Sequence, residues 1–409
     1  LVIFEAALTT YHMLTVDHFN FKDQKALIRV DFNVPLDEQF QVTDTNRIEA
    51  AKPTILKILE DGGSAILMSH LGRPKGQPNP DMSLKHIVNA ASEILGVSVK
   101  FVSDCIGPEA ERAVGELKSG EVLMLENLRY YNEEEAGDKT FAQKLAKLGD
   151  IYVNDAFGTA HRAHASTTIV ASFFPGKKCF GYLLAKEIEA IDAVMKSGEK
   201  PVAAILGGSK VSSKITILEN ILDKIDHLII GGGMTYTFKM ALGGSVGESI
   251  CEPDQTGLAL SILEKAKAKG VQVHLPIDVV AADDFSNEAN TRVMDAMAIE
   301  AGWQGLDAGP KTLENFKKVI LASRTILWNG PVGVFEMPTF SKGTIAIGDY
   351  VAEATRNGAF SLVGGGDSVA AVKQFGFEDQ VSYVSTGGGA MLESLEGKTL
   401  PGIEAILTA

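Results

Sequence analysis

The stretch AFSLVGGGDSVAAV, residues 359–372, decides how the chain is read. Phe360 to Val363 has the length and apolarity of a short buried strand, and Ser368 to Val372 opens a small-residue helical pattern. Three glycines and Asp367 stand between them. One glycine suffices where a turn needs a positive φ, whereas three strip the side chains from a patch of backbone and leave bare N–H groups at a helix start. That is how a chain makes room for a phosphate. Asp367 or Ser368 as a plain helix N-cap is the simpler reading, but capping does not account for the glycines before them.

Outward from this turn, apolar runs alternate with amphipathic helical stretches, the pattern of an α/β chain with parallel sheets. The runs that read as strands are Ala26–Val30, Ala65–Met68, Val122–Leu125, Ile151–Val153, Val202–Leu206, Leu228–Ile230, Val271–Leu275, Thr325–Leu327, Phe360–Val363 and Val381–Val384. Between the fourth and fifth, Leu184, Ile188, Ile191 and Met195 share one helix face, and Gly198 with Pro201 supplies a stop. This helix joins two halves or crosses over within one sheet; periodicity alone leaves both open.

At 409 residues, 45% hydrophobic and 22% charged, the chain is globular, and two domains are the natural expectation. A formal charge of −14 argues against a nucleic-acid partner, so any anion site must be local. No apolar run has the length of a membrane span. Cys105, Cys179 and Cys251 have no disulfide or zinc spacing, which suits a reducing cytoplasm. The opening LVIFEAALTTYH lacks a basic flank and carries Glu5, so it makes a poor signal peptide; residues 1–12 read as an extension ahead of Met13.

In open α/β sheets ligands bind beyond the carboxyl ends of the strands. In the first half those segments are DFNVP (Asp31, Asn33), SHLGRP (His70, Arg73), ENLRYY (Arg129) and NDAFGTAHRAH (His161, Arg162, His164). Each arginine alone reads as a surface ion pair, but Arg47, Arg73, Arg129 and Arg162 together suit a small anion gripped by planar forks. In the second half the segments are GGSKVSSK, GGGM, WNGPVGVFE, GGGDS and STGGGA. Lys210 and Lys214, four apart, should share the face of a helix start, where an anion would offset their clash with the helix dipole. Asp367 at the rim of a phosphate cradle suits magnesium held jointly with ligand phosphates. Neither a Walker sequence nor a complete Gly-x-Gly-x-x-Gly is present, which weakens P-loop and nicotinamide-dehydrogenase readings. Phosphoryl transfer remains.

The segments RVDFNVP, SHLGRP, ENLRYY, NDAFGTAHRAHAS, GGSKVSSKI, WNGPVGVFE, GGGDS and STGGGAMLESLEGKTLPGI, in this order, resemble the phosphoglycerate kinase family from about Met13 to the C-terminus. The resemblance implies two Rossmann-like three-layer αβα domains facing each other across a cleft and joined by a hinge helix. By it, residues 13–182 bind 3-phosphoglycerate, 183–199 form the interdomain helix, 200–390 bind nucleotide, and 391–409 return to the first domain. It also implies Mg2+ with ATP or ADP, and reversible transfer to the carboxylate of 3-phosphoglycerate giving 1,3-bisphosphoglycerate, by a phosphotransferase of glycolysis. Asp31, Asn33, Arg47, His70, Leu71, Gly72, Arg73, Arg129 and Arg162 would hold the phosphoglycerate. Arg47, Lys210 and the N–H groups of Gly387, Gly388 and Gly389 would meet the moving phosphoryl group. Lys214, Gly365, Gly366, Asp367 and Ser368 would hold nucleotide phosphates, Asp367 also the metal; Glu336 would contact ribose, and Gly232 and Gly309 would border adenine. Ser213 departs from the acidic residue many members carry between the lysines. A monomer in the cytoplasm, with hinge closure as its slow step, is the expectation by resemblance. The rival reading is a non-catalytic phosphometabolite-binding protein, which would have no need of Lys210, Asp367 and the late glycine turns together.

Overall fold

The computed structural model describes residues 13–408, so the extension expected at residues 1–12 lies outside the described residues. Two compact units divide the chain: one runs to Ile188 and resumes at Thr399, the other is Glu189–Lys398. The first boundary falls inside the helix Tyr182–Met195. The second lies beyond residue 391, because the segment up to Lys398 stays with the second unit.

The first unit is built on β1 (Lys25–Val30), β2 (Ser64–Met68), β3 (Val99–Phe101), β4 (Val122–Met124), β5 (Ile151–Asp155) and β6 (Lys178–Phe180), in the order β3-β4-β2-β1-β5-β6. Every neighbour pair is parallel. Strands covered on both faces read as unbroken apolar runs, and β2 is buried at all its positions. Parallel neighbours require crossovers, and the helix Asn46–Glu60 supplies the one from β1 to β2, burying Ile48, Ala51, Ile55 and Ile58 along one stripe. All carboxyl ends therefore face one edge of the sheet. The C-terminal helix Pro401–Leu407 closes this unit: the Gly402 N–H donates to the Ala160 carbonyl at 2.8 Å, and Asn154 Nδ2 donates to the Gly402 carbonyl at 3.1 Å.

The second unit contains β7 (Val202–Leu206), β8 (His227–Ile230), β9 (Ser245–Val246), β10 (Gln272–His274), β11 (Asp278–Ala282), β12 (Thr291–Asp295), β13 (Ala298–Ile299), β14 (Gln304–Ala308), β15 (Thr325–Asn329), β16 (Phe360–Val363) and β17 (Tyr383–Val384). A second parallel sheet runs β10-β8-β7-β15-β16-β17. Its centre carries Trp328, fully buried, with Nε1 donating to the Gly330 carbonyl at 3.0 Å. β11, β12 and β14 form a separate antiparallel sheet, and β9 pairs with β13.

Each run read as a strand is one, within a residue or two at its ends. β3, β6, β9, β13 and the antiparallel strands escaped. β3 and β6 are three residues long with a lysine in each, and β12 is exposed everywhere but Met294, so none presents the apolar run that marks a buried parallel strand. Among the described residues no helix is long and apolar enough to cross a membrane.

Candidate active site

The loops leaving β1, β2, β4 and β5 converge on one cavity lined by Asp31, Asn33, Arg47, His70, Gly72, Arg73, Arg129, Gly158, Thr159 and Arg162. Its volume is about 190 Å³, below the roughly 300–1,000 Å³ of pockets that take drug-sized ligands, so it suits a small ligand. Local bonds hold each side chain. Arg47, in the first turn of its helix, places NH1 3.0 Å from Asp31 Oδ2 and 3.0 Å from the Asn33 carbonyl. Asn33 Oδ1 accepts the Gly72 N–H at 2.9 Å, fixing the turn after β2. Arg129 sits in a 3-10 turn, Leu128–Tyr130, whose amide is capped by Asn127; its NH1 donates to the Gly72 carbonyl at 3.0 Å. Arg162 Nε donates to His161 Nε2 at 3.2 Å, and Arg73 is exposed at the rim.

The electrostatics favour an anion. His70, almost completely buried, is held well below the usual imidazole value by burial and then by Arg29, Arg129, Arg47 and His164. His164 is pushed down to about 4 by burial, Arg29, Arg129, Arg162 and His161. Both rings are neutral near pH 7, which leaves the guanidinium groups as the cations. Asp31 Oδ1 and His164 Nδ1 are buried without a hydrogen-bond partner, and such groups are costly unless something satisfies them; Arg129 Nε stands in an ion pair with Glu135 Oε1 at 3.4 Å.

Leu71 stands apart from the other expected residues. Its side chain joins the hydrophobic core and its carbonyl accepts from Asn127 Nδ2 at 2.7 Å, because the chain must turn inward there to leave β2. Gly158, Thr159 and Arg29 were missed. The first two lie within a motif singled out for its arginine and histidines; Arg29 hides in the middle of an apolar run, where charge is the weaker signal.

In the second unit the turns after β7, β15, β16 and β17 meet around Asn329, which is fully buried. Lys214 Nζ donates to Asn329 Oδ1. Asn329 Nδ2 donates to the Gly364 carbonyl at 2.8 Å. Ser368 Oγ accepts the Gly330 N–H, so its hydroxyl ties two turns together. Gly207 and Gly330 approach backbone to backbone, leaving no space for a Cβ on either. The three glycines of the opening stretch do different work. A Cβ on Gly364 would collide with Met391; Gly365 takes φ +90° beside Asn329; Gly366 has nothing within 4 Å of where its Cβ would stand. Only the last is free to face a ligand. It opens the helix Gly366–Gln374, whose N-cap Gly365 has no side-chain bond, so Asp367 does not cap it and stays exposed. Gly388, at the start of the helix Gly388–Leu395, lies beside Gly366, so two helix N-termini open together. Asn329 was absent from the expected site; its place at the carboxyl end of β15 was the available signal.

The two lysines do not share a helix face. A 3-10 turn, Ser212–Lys214, precedes the helix Ile215–Ile221, and Glu252 Oε2 accepts the Ser212 N–H at 3.0 Å, so Lys210 is left exposed in the loop. Lys214 is half-buried; burial lowers its pKa and Asp367 partly offsets this. Gly232 follows β8 with φ +66°, stacked on Gly208, and Gly309 begins the helix Pro310–Ala322 against Asp278. Glu336 is exposed after β15, Gly387 is buried, and Gly389 is exposed. Among the described residues no three His, Cys, Asp or Glu side chains converge as a metal cage. Asp367 alone, exposed beside an open helix start, fits a magnesium ion that takes most of its ligands from phosphate and water.

An arginine-lined cavity on one parallel sheet and a lysine-bearing, glycine-lined meeting of helix N-termini on another define a two-unit α/β protein suited to anionic, phosphate-bearing ligands. The chain belongs to the phosphoglycerate kinase family: the family profile described as Phosphoglycerate kinase matches residues 16–398. The phosphoglycerate kinase of Porphyromonas gingivalis is 55% identical across 96% of this chain and 100% of its own length. The cytosolic phosphoglycerate kinase of Nicotiana tabacum is 51% identical across 95% of this chain and 96% of its own. Among solved structures, phosphoglycerate kinase from Coxiella burnetii superposes with TM-score 0.89 at 40% identity, covering 96% of this chain and 98% of that one.

Proposed function

We propose that the protein catalyses reversible phosphoryl transfer between ATP and the carboxylate of 3-phosphoglycerate, giving ADP and 1,3-bisphosphoglycerate. The observation that carries this reading is the pairing, in a chain of this family, of the four-arginine cavity with the open glycine cluster at Gly366 and Gly388. Residues 13–182 take the phosphoglycerate and 200–390 the nucleotide. Asp31, Asn33, His70, Gly72, Arg73, Arg129 and Arg162 bind and orient the phosphoglycerate, so its carboxylate is presented at a fixed angle. That carboxylate is already a competent nucleophile, and no general base is required. Arg47, Lys210 and the amides of Gly387, Gly388 and Gly389 spread the charge of the transferring group. Lys214, Gly365, Gly366 and Ser368 seat the nucleotide phosphates, with Gly232 and Gly309 at adenine and Glu336 at ribose. Magnesium, when bound through Asp367, neutralises phosphate charge. Three free cysteines and a cytosolic relative support work in a reducing cytoplasm, and a monomer is the state this reading assigns.

The test is acyl-phosphate trapping. With hydroxylamine present, ATP and 3-phosphoglycerate together should yield hydroxamate and ADP, and neither substrate alone should. Folded protein that binds nucleotide without forming hydroxamate would leave the binding-protein reading standing.

A further inference from the structure

Glu134 is completely buried in the short helix Asn132–Glu135, and the scheme above makes no use of it. Its Oε2 accepts the Ser166 N–H at 2.9 Å and its Oε1 accepts the Ser166 hydroxyl at 2.5 Å. That hydroxyl accepts in turn from Arg29 Nε at 2.8 Å. Arg29 lies fully buried in β1, gives NH1 to the Val30 carbonyl, and brings NH2 to 3.3 Å from His70 Nδ1. His70 lines the cavity.

Directions along this chain are forced. Arginine only donates, so His70 Nδ1 must accept from it, and a neutral ring that accepts at Nδ1 carries its proton on Nε2. Ser166 has one proton, spent on Glu134, which leaves its lone pair for Arg29. A guanidinium and a carboxylate buried this deeply are tolerable only if both are satisfied, and Ser166 satisfies both at once. Also near the relay are His164, with Nδ1 4.0 Å from Glu134 Oε1, Arg129, whose charge acts on Glu134, and Asp31, whose Oδ1 stands 3.8 Å from His70 Nδ1, beyond hydrogen-bond reach. We propose that Glu134 is a positioning residue: through Ser166 and Arg29 it holds His70 neutral in the Nε2–H form, which supplies an N–H donor to the bound anion. The identity of that anion as 3-phosphoglycerate rests on the reading above; the tautomer does not.

Two variants of the full chain test this, Ser166→Ala and Glu134→Gln. Ser166→Ala severs the relay and leaves the carboxylate, whereas glutamine keeps an acceptor for the Ser166 hydroxyl and drops the charge. The readouts are the imidazole 15N shifts of His70 and the separate KM values for the two substrates. In Ser166→Ala His70 should become a mixture of tautomers, with KM for 3-phosphoglycerate up about tenfold, the scale of one hydrogen bond, and KM for ATP unchanged. Glu134→Gln should fall between this and wild type. His70 remaining wholly Nε2–H in Ser166→Ala would overturn the proposal, as would equal rises in both KM values. If Glu134→Gln does not fold, Ser166→Ala still decides. A wild-type protein without turnover would defeat the kinase reading, and the tautomer shift would still judge this one.

Discussion

Exchanging Gly365 and Gly366 for alanine, one at a time, separates glycine that the fold needs from glycine that the ligand needs. At Gly365 the backbone holds φ +90°, and a Cβ would stand 2.6 Å from Asn329 Nδ2, which itself donates to the Gly364 carbonyl. Holding a side chain in that conformation costs roughly 1–3 kcal/mol. Pushing the buried Asn329 off its carbonyl leaves polar groups unsatisfied, about 1–3 kcal/mol more. The sum is about 2–6 kcal/mol, and in a unit of this size each kcal/mol lowers Tm by roughly 2–4 °C. At Gly366 a Cβ meets nothing within 4 Å and opens a helix, so alanine should leave stability unchanged or raise it by about 0.4–1 kcal/mol. Nucleotide would instead encounter the new methyl where a phosphate approaches the amide. Urea unfolding and ADP titration on both variants give the comparison. Gly365→Ala should be destabilised, and Gly366→Ala should keep its midpoint while losing at least about tenfold in ADP affinity, the scale of one phosphate hydrogen bond. Equal stability of the two variants, or unimpaired ADP binding by Gly366→Ala, would refute the reasoning.

Lys210 is exposed and its charge acts on solvent-facing Glu252, so Lys210→Ala should keep stability within about 0.5 kcal/mol while kcat falls roughly 10²–10³-fold; a loss under fivefold would remove it from the transition state. Asp367→Asn should weaken ADP binding about tenfold with magnesium present and leave it unchanged in chelator, and calorimetry that finds the same loss in both would deny the metal role. Asp155 is fully buried at the carboxyl end of β5, its Oδ1 accepts the Leu184 N–H at 3.1 Å, and burial pushes its carboxyl up to about 7. Its folded value exceeds the unfolded one, so the stability it contributes is full below about pH 4 and is lost as pH rises through 7. Asp155→Asn no longer titrates, and its stability relative to wild type should therefore improve from pH 5 to pH 8 in urea titrations; a constant difference would contradict the shift.

The parallel sheets were legible because their strands are buried on both faces and so appear as apolar runs, and the site loops were legible because they follow those runs directly. β12 was not, since it is exposed at every position but Met294, and β11 (DVVAA) and β14 (QGLDA) are short runs broken by aspartate, glutamine or glycine. The arginines announced the anion cavity by type and place. Arg29 did not, because a cation inside a strand is explained by side chains far along the chain, His70 after β2 and Ser166 after β5. Asn329 was hidden for the same reason: its two side-chain bonds, to Lys214 and to the Gly364 carbonyl, reach turns that meet only once the sheet is formed. The spacing of Lys210 and Lys214 suggested one helix face, but spacing says nothing of where a helix starts, and Glu252 sets that start from outside the segment.

The division of labour between the two units is tested most directly by titrating each ligand alone into amide-labelled protein. The account predicts that 3-phosphoglycerate shifts Gly72, Arg129 and Arg162, and that magnesium ADP shifts Gly208, Gly366 and Gly388. Phosphoglycerate acting first on the glycine cluster, or ADP on the arginine cavity, would contradict it.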